Sequence, residues 1–455
     1  MRWNKANGYL FGKSIIFILT VLLVTICVFG TFSTEAATQT NQRDAGFGNT
    51  KIAYTAQNGL YIVNMKTART DLIVKSSDIQ TPVFSRDGKA VAYMLGQDLY
   101  AYSFENGKSK KLLSNATSFC QGQTGQFYAS SQKTGIVTVE YNSAKAKTIV
   151  ASAKDTYFNN LSLSPDLKLL AYDTVVSGVE NQDRGGVWIL DLNKNNPELI
   201  VQAEKMSENS MGLRPAAGKW TPDSSRLFIW MMSNSGSLSA DGVGTALYDI
   251  KDSKLINLDT GALAYNENVT FANADKFALI SGGSRSMFEN KTISIFDLKT
   301  GIKPQNAAPM NKVTTTPYYS SDGSRLLFAA SPAAAAGDEY KKQIATIFKR
   351  QIYMLMNNKY YQLTNSTAYR SEAPVFLKNN NYIVFARQNS KTEQSIWIMD
   401  SDGKNQIKLA SWKYNDPEDN RATDFYGRIN WSNMFSIYDD TRPQNTTKIP
   451  VVSIN

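Results

Sequence analysis

The chain has no histidine in its 455 residues. That absence removes Ser-His-Asp and Cys-His nucleophile activation, histidine acid-base chemistry and histidine-ligated zinc or manganese. Cysteine is nearly as scarce: Cys27 lies in an N-terminal apolar run, so Cys120 is the lone thiol in the rest of the chain and no intramolecular disulfide can form there. Cys120 reads as a small buried apolar residue rather than a reactive one. Long helical periodicity is missing after residue 40, apart from a short stretch around Asp338 to Phe348, and no Pro-, Gly- or Ser-rich linker divides the chain. The only low-complexity run, Pro332 to Gly337 (PAAAAG), reads as a loop. Hydrophobic residues make up 42% and charged ones 19%, which suits one large core and argues against disorder.

What is present is a repeat. A polar turn recurs as Ser85-Arg86-Asp87-Gly88, Ser164-Pro165-Asp166, Thr221-Pro222-Asp223 and Ser321-Asp322-Gly323, each followed by an apolar run: AVAYM, LLAYD, LFIW and LLFAA. A further strand follows in each unit: LYIVN to Asn64, LYAYS to Ser103, IVTVE to Glu140, VWILD to Asp191, TALYD to Asp249, ISIFD to Asp297, IYMLM to Met356 and IWIMD to Asp400. Neighbouring ends lie 37 to 59 residues apart, near the roughly 40 to 45 residues of a four-stranded propeller blade with insertions. Period two dominates, and Asp-Gly or Asn-Gly pairs sit between apolar runs where tight turns need residues that tolerate positive φ. The expected fold is all-β, radially repeated so that few strand edges are exposed.

The segments FSRDGKAVAY, LSPDLKLLAY, YSSDGSRLLF and IWIMDSDGKNQIKL resemble the WD40-like repeats of TolB-type β-propellers, and the resemblance runs from Lys51 to Ala410. The third unit (FYASSQKTGIVTVEY) and the sixth (VTFANADKFALISGG) lack the Asp-Gly turn and are placed by spacing. No counterpart of TolB's preceding α/β domain is seen, so the resemblance implies a propeller used as a docking surface, not a role in the Tol system. Eight blades are expected, or seven if a weak unit merges with its neighbour. The first unit opens at Lys51 to Thr55 without its own first strand. The stretch Ile429 to Ile437 is expected to supply it, with Trp431-Ser432 in the place of Phe84-Ser85.

Residues 1–36 read as a targeting segment: Arg2, Lys5 and Lys13 precede an apolar run from Ile15 to Phe29, long for a signal-peptide core and short for a spanning helix. Cleavage after Ala36 and an uncleaved anchor are both open, and Ile26 before Cys27 disfavours a lipoprotein site. A linker is expected over 37–50, the propeller over 51–440 and a tail over 441–455. The domain is thus expected to be exported, extracellular or in the cell envelope, with membrane contact if the segment is uncleaved. Without residues 1–36 the charge falls from +10 to about +8, since three basic residues and one acidic residue go. Dispersed basic residues, with clusters such as Lys108-Ser109-Lys110-Lys111 and Lys341-Lys342, favour an anionic envelope polymer or headgroup over nucleic acid.

Candidate chemistry is sparse. Asp87, Gly88, Asp166, Asp223, Asp322 and Gly323 read as turn residues, the carboxylates capping backbone N–H groups. Tyr61, Tyr100, Trp188, Phe296, Tyr353 and Trp397 recur in the third strands and read as packing between sheets. Paired carboxylates, which glycosidases use, survive the absence of histidine, and carboxylates around an axis could hold a cation. Loop length carries more information. The gap between second and third strands grows from seven residues (Tyr54 to Tyr61) to seventeen (Trp230 to Leu247) and twenty-five (Phe328 to Tyr353). This elaborates one face, where Asp183, Arg184, Asp241, Arg285, Asp338, Glu339 and Lys341 are the candidate binding residues. The expected function is a non-catalytic, monomeric scaffold without metal or cofactor that binds a protein or anionic envelope polymer through that face. The alternative is a carboxylate-dependent, carbohydrate-active propeller enzyme.

Overall fold

The computed structural model describes residues 47–67, 69–333, 350–388, 393–413 and 426–441. The alternating apolar runs form strands, which assemble into eight four-stranded antiparallel sheets, the blades of a β-propeller. The third strands are Gly59–Asn64, Asp98–Ser103, Gly135–Glu140, Gly186–Asp191, Gly244–Asp249, Thr292–Asp297, Gln351–Met356 and Glu393–Asp400, so both weak units are blades in their own right. Blade 6 keeps its first turn without Asp-Gly because Asn273 Oδ1 accepts from the amides of Asp275 and Lys276, both at 2.9 Å.

The Asp-bearing turns share one bonding pattern. Ser85 Oγ donates to Asp87 Oδ1 at 2.6 Å, that oxygen accepts from Lys89 N, and Ala90 N donates back to Ser85 Oγ. Ser164 and Asp166, and Thr221 and Asp223, repeat it. In blade 7 the hydroxyl belongs to Ser320, not to Ser321, because the pattern needs one residue between hydroxyl and carboxylate; its bond and those from Ser324 hold the Asp322 carboxyl down at about 2. Gly88 and Gly323 take φ of 65° and 70° at the turn, where a side chain would be strained.

Within a blade, second and third strands place aromatic residues directly opposite one another. Tyr54 stacks on Tyr61 at 5.1 Å, Tyr93 on Tyr100, Tyr172 on Trp188, Phe277 on Phe296 at 4.7 Å and Phe328 on Tyr353; Phe385 faces Trp397 in the same register. The apolar clusters lie between blades: Ile52, Tyr54 and Val63 of blade 1 pack with Val384, Ile396 and Trp412 of blade 8. Phe47, ahead of the first strand, is buried against Tyr382.

The first strands run side by side around the axis, and several carry a bulge with a residue at positive φ: Thr81, Asn160, Thr316 and Ala373, at 49° to 54°. Backbone N–H groups at or beside the bulges bond to the preceding blade. Leu161 N donates to Ser118 Oγ, Ala217 N to Asp173 Oδ1, Tyr319 N to Thr270 Oγ1 and Ala373 N to Thr316 Oγ1, at 3.0 to 3.3 Å.

A C-terminal strand closes blade 1, paired antiparallel to Lys51–Ala56 with Ile52 opposite Ile437 and Tyr54 opposite Phe435. It is shorter than expected and later in sequence. Trp431–Met434 is a helical turn, and only Phe435–Tyr438 is strand. Ile437, not Trp431, takes the position that Phe84 holds opposite Val91. The buried indole N–H of Trp431, which needs an acceptor, finds one instead on Glu372 of blade 8.

Candidate functional site

The face of long loops is built from adjacent segments. The loop joining second to third strand carries a 3-10 turn, Val179–Arg184, in blade 4 and a short helix, Gly236–Ala240, in blade 5; in blade 6 it spans 282–291. Between blades 4 and 5 the connection 203–213 makes a hairpin-like excursion, with Glu204 bridged to Leu213 and Ser207 to Ser210. These segments hold one another. Met206 N donates to Gln182 Oε1 at 3.0 Å, Asn234 N to Met211 O at 3.2 Å and Asn234 Nδ2 to Glu204 O at 2.7 Å.

The candidate residues separate into pairs. Arg285 Nε and Nη2 reach both oxygens of Asp241 at 2.6 and 2.5 Å, locking the blade 5 loop to the blade 6 loop, and hydrogen bonding to Arg285 holds the Asp241 carboxyl below its usual range. Arg285 Nη2 also donates to Ser237 O, so this guanidinium organises the loops rather than presenting a free charge. Asp183 lies 3.7 Å from Lys205 on the connection, and Arg184 is exposed, 3.5 Å from Asn181 Oδ1. Asp338, Glu339 and Lys341 lie outside the described residues.

Four exposed apolar side chains stand on the same segments, Val179 and Leu238 in loops that length picks out and Met206 and Met211 in a connection that it does not. Val179, Met206, Met211 and Leu238 are 60, 36, 49 and 50% exposed. The signal is present in the stretch Glu204 to Leu213, where two methionines stand among polar residues in a blade-to-blade connection.

The closing segment lies on this face as well. Met287 N donates to Tyr426 O at 3.0 Å, Arg350 Nη1 to Gly427 O at 3.3 Å, and Arg428 Nε to Glu267 Oε1 at 2.7 Å, with the Arg428 guanidinium 3.7 Å from the Tyr265 ring centre. Gly427 has φ of 81°, and a Cβ there would fall 1.9 Å from the Phe288 ring. Before entering blade 1 the chain therefore touches blades 6, 7 and 8, which lays it across the axial end of the propeller.

Beneath it lies a buried charge cluster. Glu372, on the first strand of blade 8, accepts from Arg350 Nη1 and from Trp431 Nε1, and Arg350 Nη2 donates to Met287 O at 2.7 Å. Burial pushes the Glu372 carboxyl up, but Arg370 and Arg350 outweigh it and hold the group below its usual range. Lys291 is buried in a cage of acceptors, Gly283 O at 2.7 Å, Ser284 O at 2.9 Å, Glu289 O and Asn290 Oδ1, and burial lowers its ammonium to about 8. Asp173, in blade 4, accepts from Asn160 Nδ2 at 2.7 Å and Ala217 N at 3.0 Å, and burial raises its carboxyl to about 6. Its partners are a carboxamide and an amide, not a second carboxylate. Among the described residues no three Cys, Asp or Glu side chains converge as a cation site requires.

No family model and no curated protein matches the chain. Solved structures do. Dipeptidyl peptidase 4 of Porphyromonas gingivalis matches with a TM-score of 0.54 at 11% identity, over 81% of this chain and 58% of that one. TolB of Acinetobacter baumannii matches at 15% identity over 80% of this chain and 64% of its own, TM-score 0.35. An oligogalacturonate lyase of Vibrio parahaemolyticus matches at 12% identity over 77% of this chain and 97% of its own, TM-score 0.45. The chain thus spans less than two thirds of the TolB and peptidase chains. At 11% identity the peptidase match is a likeness of fold alone, the β-propeller.

Proposed function

We infer that this protein is an exported, non-catalytic propeller that docks a protein partner on the long-loop face of blades 4 to 6. The observation that carries the reading is the exposure of Val179, Met206, Met211 and Leu238 on three segments bonded to one another, which also carry the charged residues Asp183, Arg184 and Lys205. Exposed apolar side chains grouped within a polar surround mark protein interaction surfaces, and methionine adapts its shape to a partner. An anionic polymer would instead call for a cluster of unpaired cations, and two of the cations here are engaged, Arg285 by Asp241 and Lys205 by Asp183. The absence of histidine and the bonding of Asp173 to non-acidic partners fit a surface without acid-base chemistry.

The test is the pair Met206→Asp and Met211→Asp in one chain, compared with Lys89→Glu and Lys168→Glu in the turns of the opposite face. Photo-cross-linking from position 238 in the native envelope should yield a defined protein adduct, lost in the methionine variant at unchanged melting temperature and kept in the lysine variant. Retention in the first and loss in the second would overturn the reading, and an adduct with glycan alone would replace protein by polymer.

A further inference from the structure

We propose that Arg370 forms the floor of a binding site for an oxyanion, a carboxylate or phosphate group, at the axial end of blade 8. Arg370 opens the first strand of that blade, Arg370–Leu377, and is 5% exposed. Its guanidinium carries five N–H donors, yet the acceptor paired with it is Glu372 Oε2, at 3.6 Å and beyond hydrogen-bond distance. That carboxylate is already engaged, one oxygen by Arg350 and the other by Trp431 at 3.0 Å. Arg370 Nε is sealed from solvent with no partner among the described residues, and so is Arg350 Nε.

The charge balance points the same way. Arg350, Arg370 and Glu372 are all at least nine-tenths buried, two cations against one anion, while the Lys291 ammonium beside Arg350 is set against the Glu289 carboxylate. An uncompensated buried cation is strongly disfavoured, and a buried donor without an acceptor costs free energy of its own. An oxyanion would satisfy both conditions, because its two oxygens match the parallel N–H groups of the guanidinium fork. A neutral ligand would leave the charge uncompensated. The inference is independent of the docking face, since none of the methionines there is involved.

The experiment uses the full chain and inorganic phosphate as the probe. Phosphate should raise the melting temperature saturably, chloride at equal ionic strength should not, and the 31P resonance should broaden on adding protein. Arg370→Gln should weaken phosphate binding about tenfold or more, as the loss of a charge-assisted pair implies. Arg370→Lys, which keeps the charge and loses the fork, should weaken it less and serves if the glutamine variant does not fold. No saturable response in the wild-type chain, or equal affinity in Arg370→Gln, would overturn the proposal. A response that emerges only after Asp416, Glu418, Asp419 and Asp424 are changed to their amides would also overturn it, by showing that the counter-ion is the chain's own carboxylate.

Discussion

The indole Nε1 of Trp431 donates to Glu372 Oε2 at 3.0 Å, tying the segment that closes blade 1 to the innermost strand of blade 8. Both side chains are buried, and the same carboxylate is gripped by Arg350, which in turn holds Met287 of blade 6 and Gly427 of the closing segment. One carboxylate therefore joins ring closure to the long-loop face.

Removing that carboxylate should be worse than removing the indole. Glu372→Ala leaves Arg350 and Arg370 buried without a counter-charge and is expected to cost about 3–5 kcal/mol. Trp431→Phe leaves one carboxylate oxygen without its donor and should cost about 1–3 kcal/mol. Urea unfolding of both variants checks the order, and the reverse order would show that the cluster is not what holds the closure.

Truncation after residue 425 removes Trp431, Met434 and Phe435, all buried, along with the strand paired to the inner edge of Lys51–Ala56. At roughly 1.5–3 kcal/mol for each buried apolar side chain, the loss should exceed about 4 kcal/mol. A truncated chain with the melting temperature of the full one would refute closure as a source of stability.

Asp173 gives a pH signature. Its folded carboxyl is raised to about 6 by burial, whereas an unfolded one titrates near ~3.9, so between those values the folded state binds more protons. Stability should therefore fall as pH rises from about 4 to about 6 and level off above, a loss on the order of 2–3 kcal/mol. Asp173→Asn keeps an acceptor for Ala217 N, should abolish that slope and should melt higher than wild type at pH 7.5. A slope that persists in the variant assigns it to another group.

The Asp241–Arg285 pair is half exposed, with side chains 47 and 31% accessible. Arg285→Gln should change global stability by no more than about 1 kcal/mol. It should, however, raise hydrogen exchange at Asp241 and Gly283, because the blade 5 and blade 6 loops lose their link. Unchanged exchange there would show that backbone packing, not the ion pair, fixes the loops.

All eight third strands are legible in the sequence, because period-two alternation and the Ser-x-Asp turn are local properties. Blade 6 survives the loss of Asp-Gly because Asn273 supplies the same acceptor, a substitution local enough to read. Pattern alone puts the closing strand six residues too early, since Trp431 and Ile437 are both apolar and the distant partner of Trp431, Glu372, is not visible in a local pattern. On the loop face, length locates the elaborated loops, but the exposed methionines of 203–213 lie in a connection that a comparison of hairpin loops does not cover.

What the sequence by itself determined was the repeat, the all-β class, the number of blades and the exclusion of histidine chemistry, all set by residue type and short-range spacing. Only the tertiary structure decided which charges are neutralised and which are not. Arg285 and Arg370 look alike in sequence, but one lies against Asp241 while the other is buried beside a carboxylate already bonded to Arg350 and Trp431. The physical reason is that desolvation and pairing depend on partners from 22 to 59 residues away in blade 8's cluster, brought together by closing the ring and not by any local pattern.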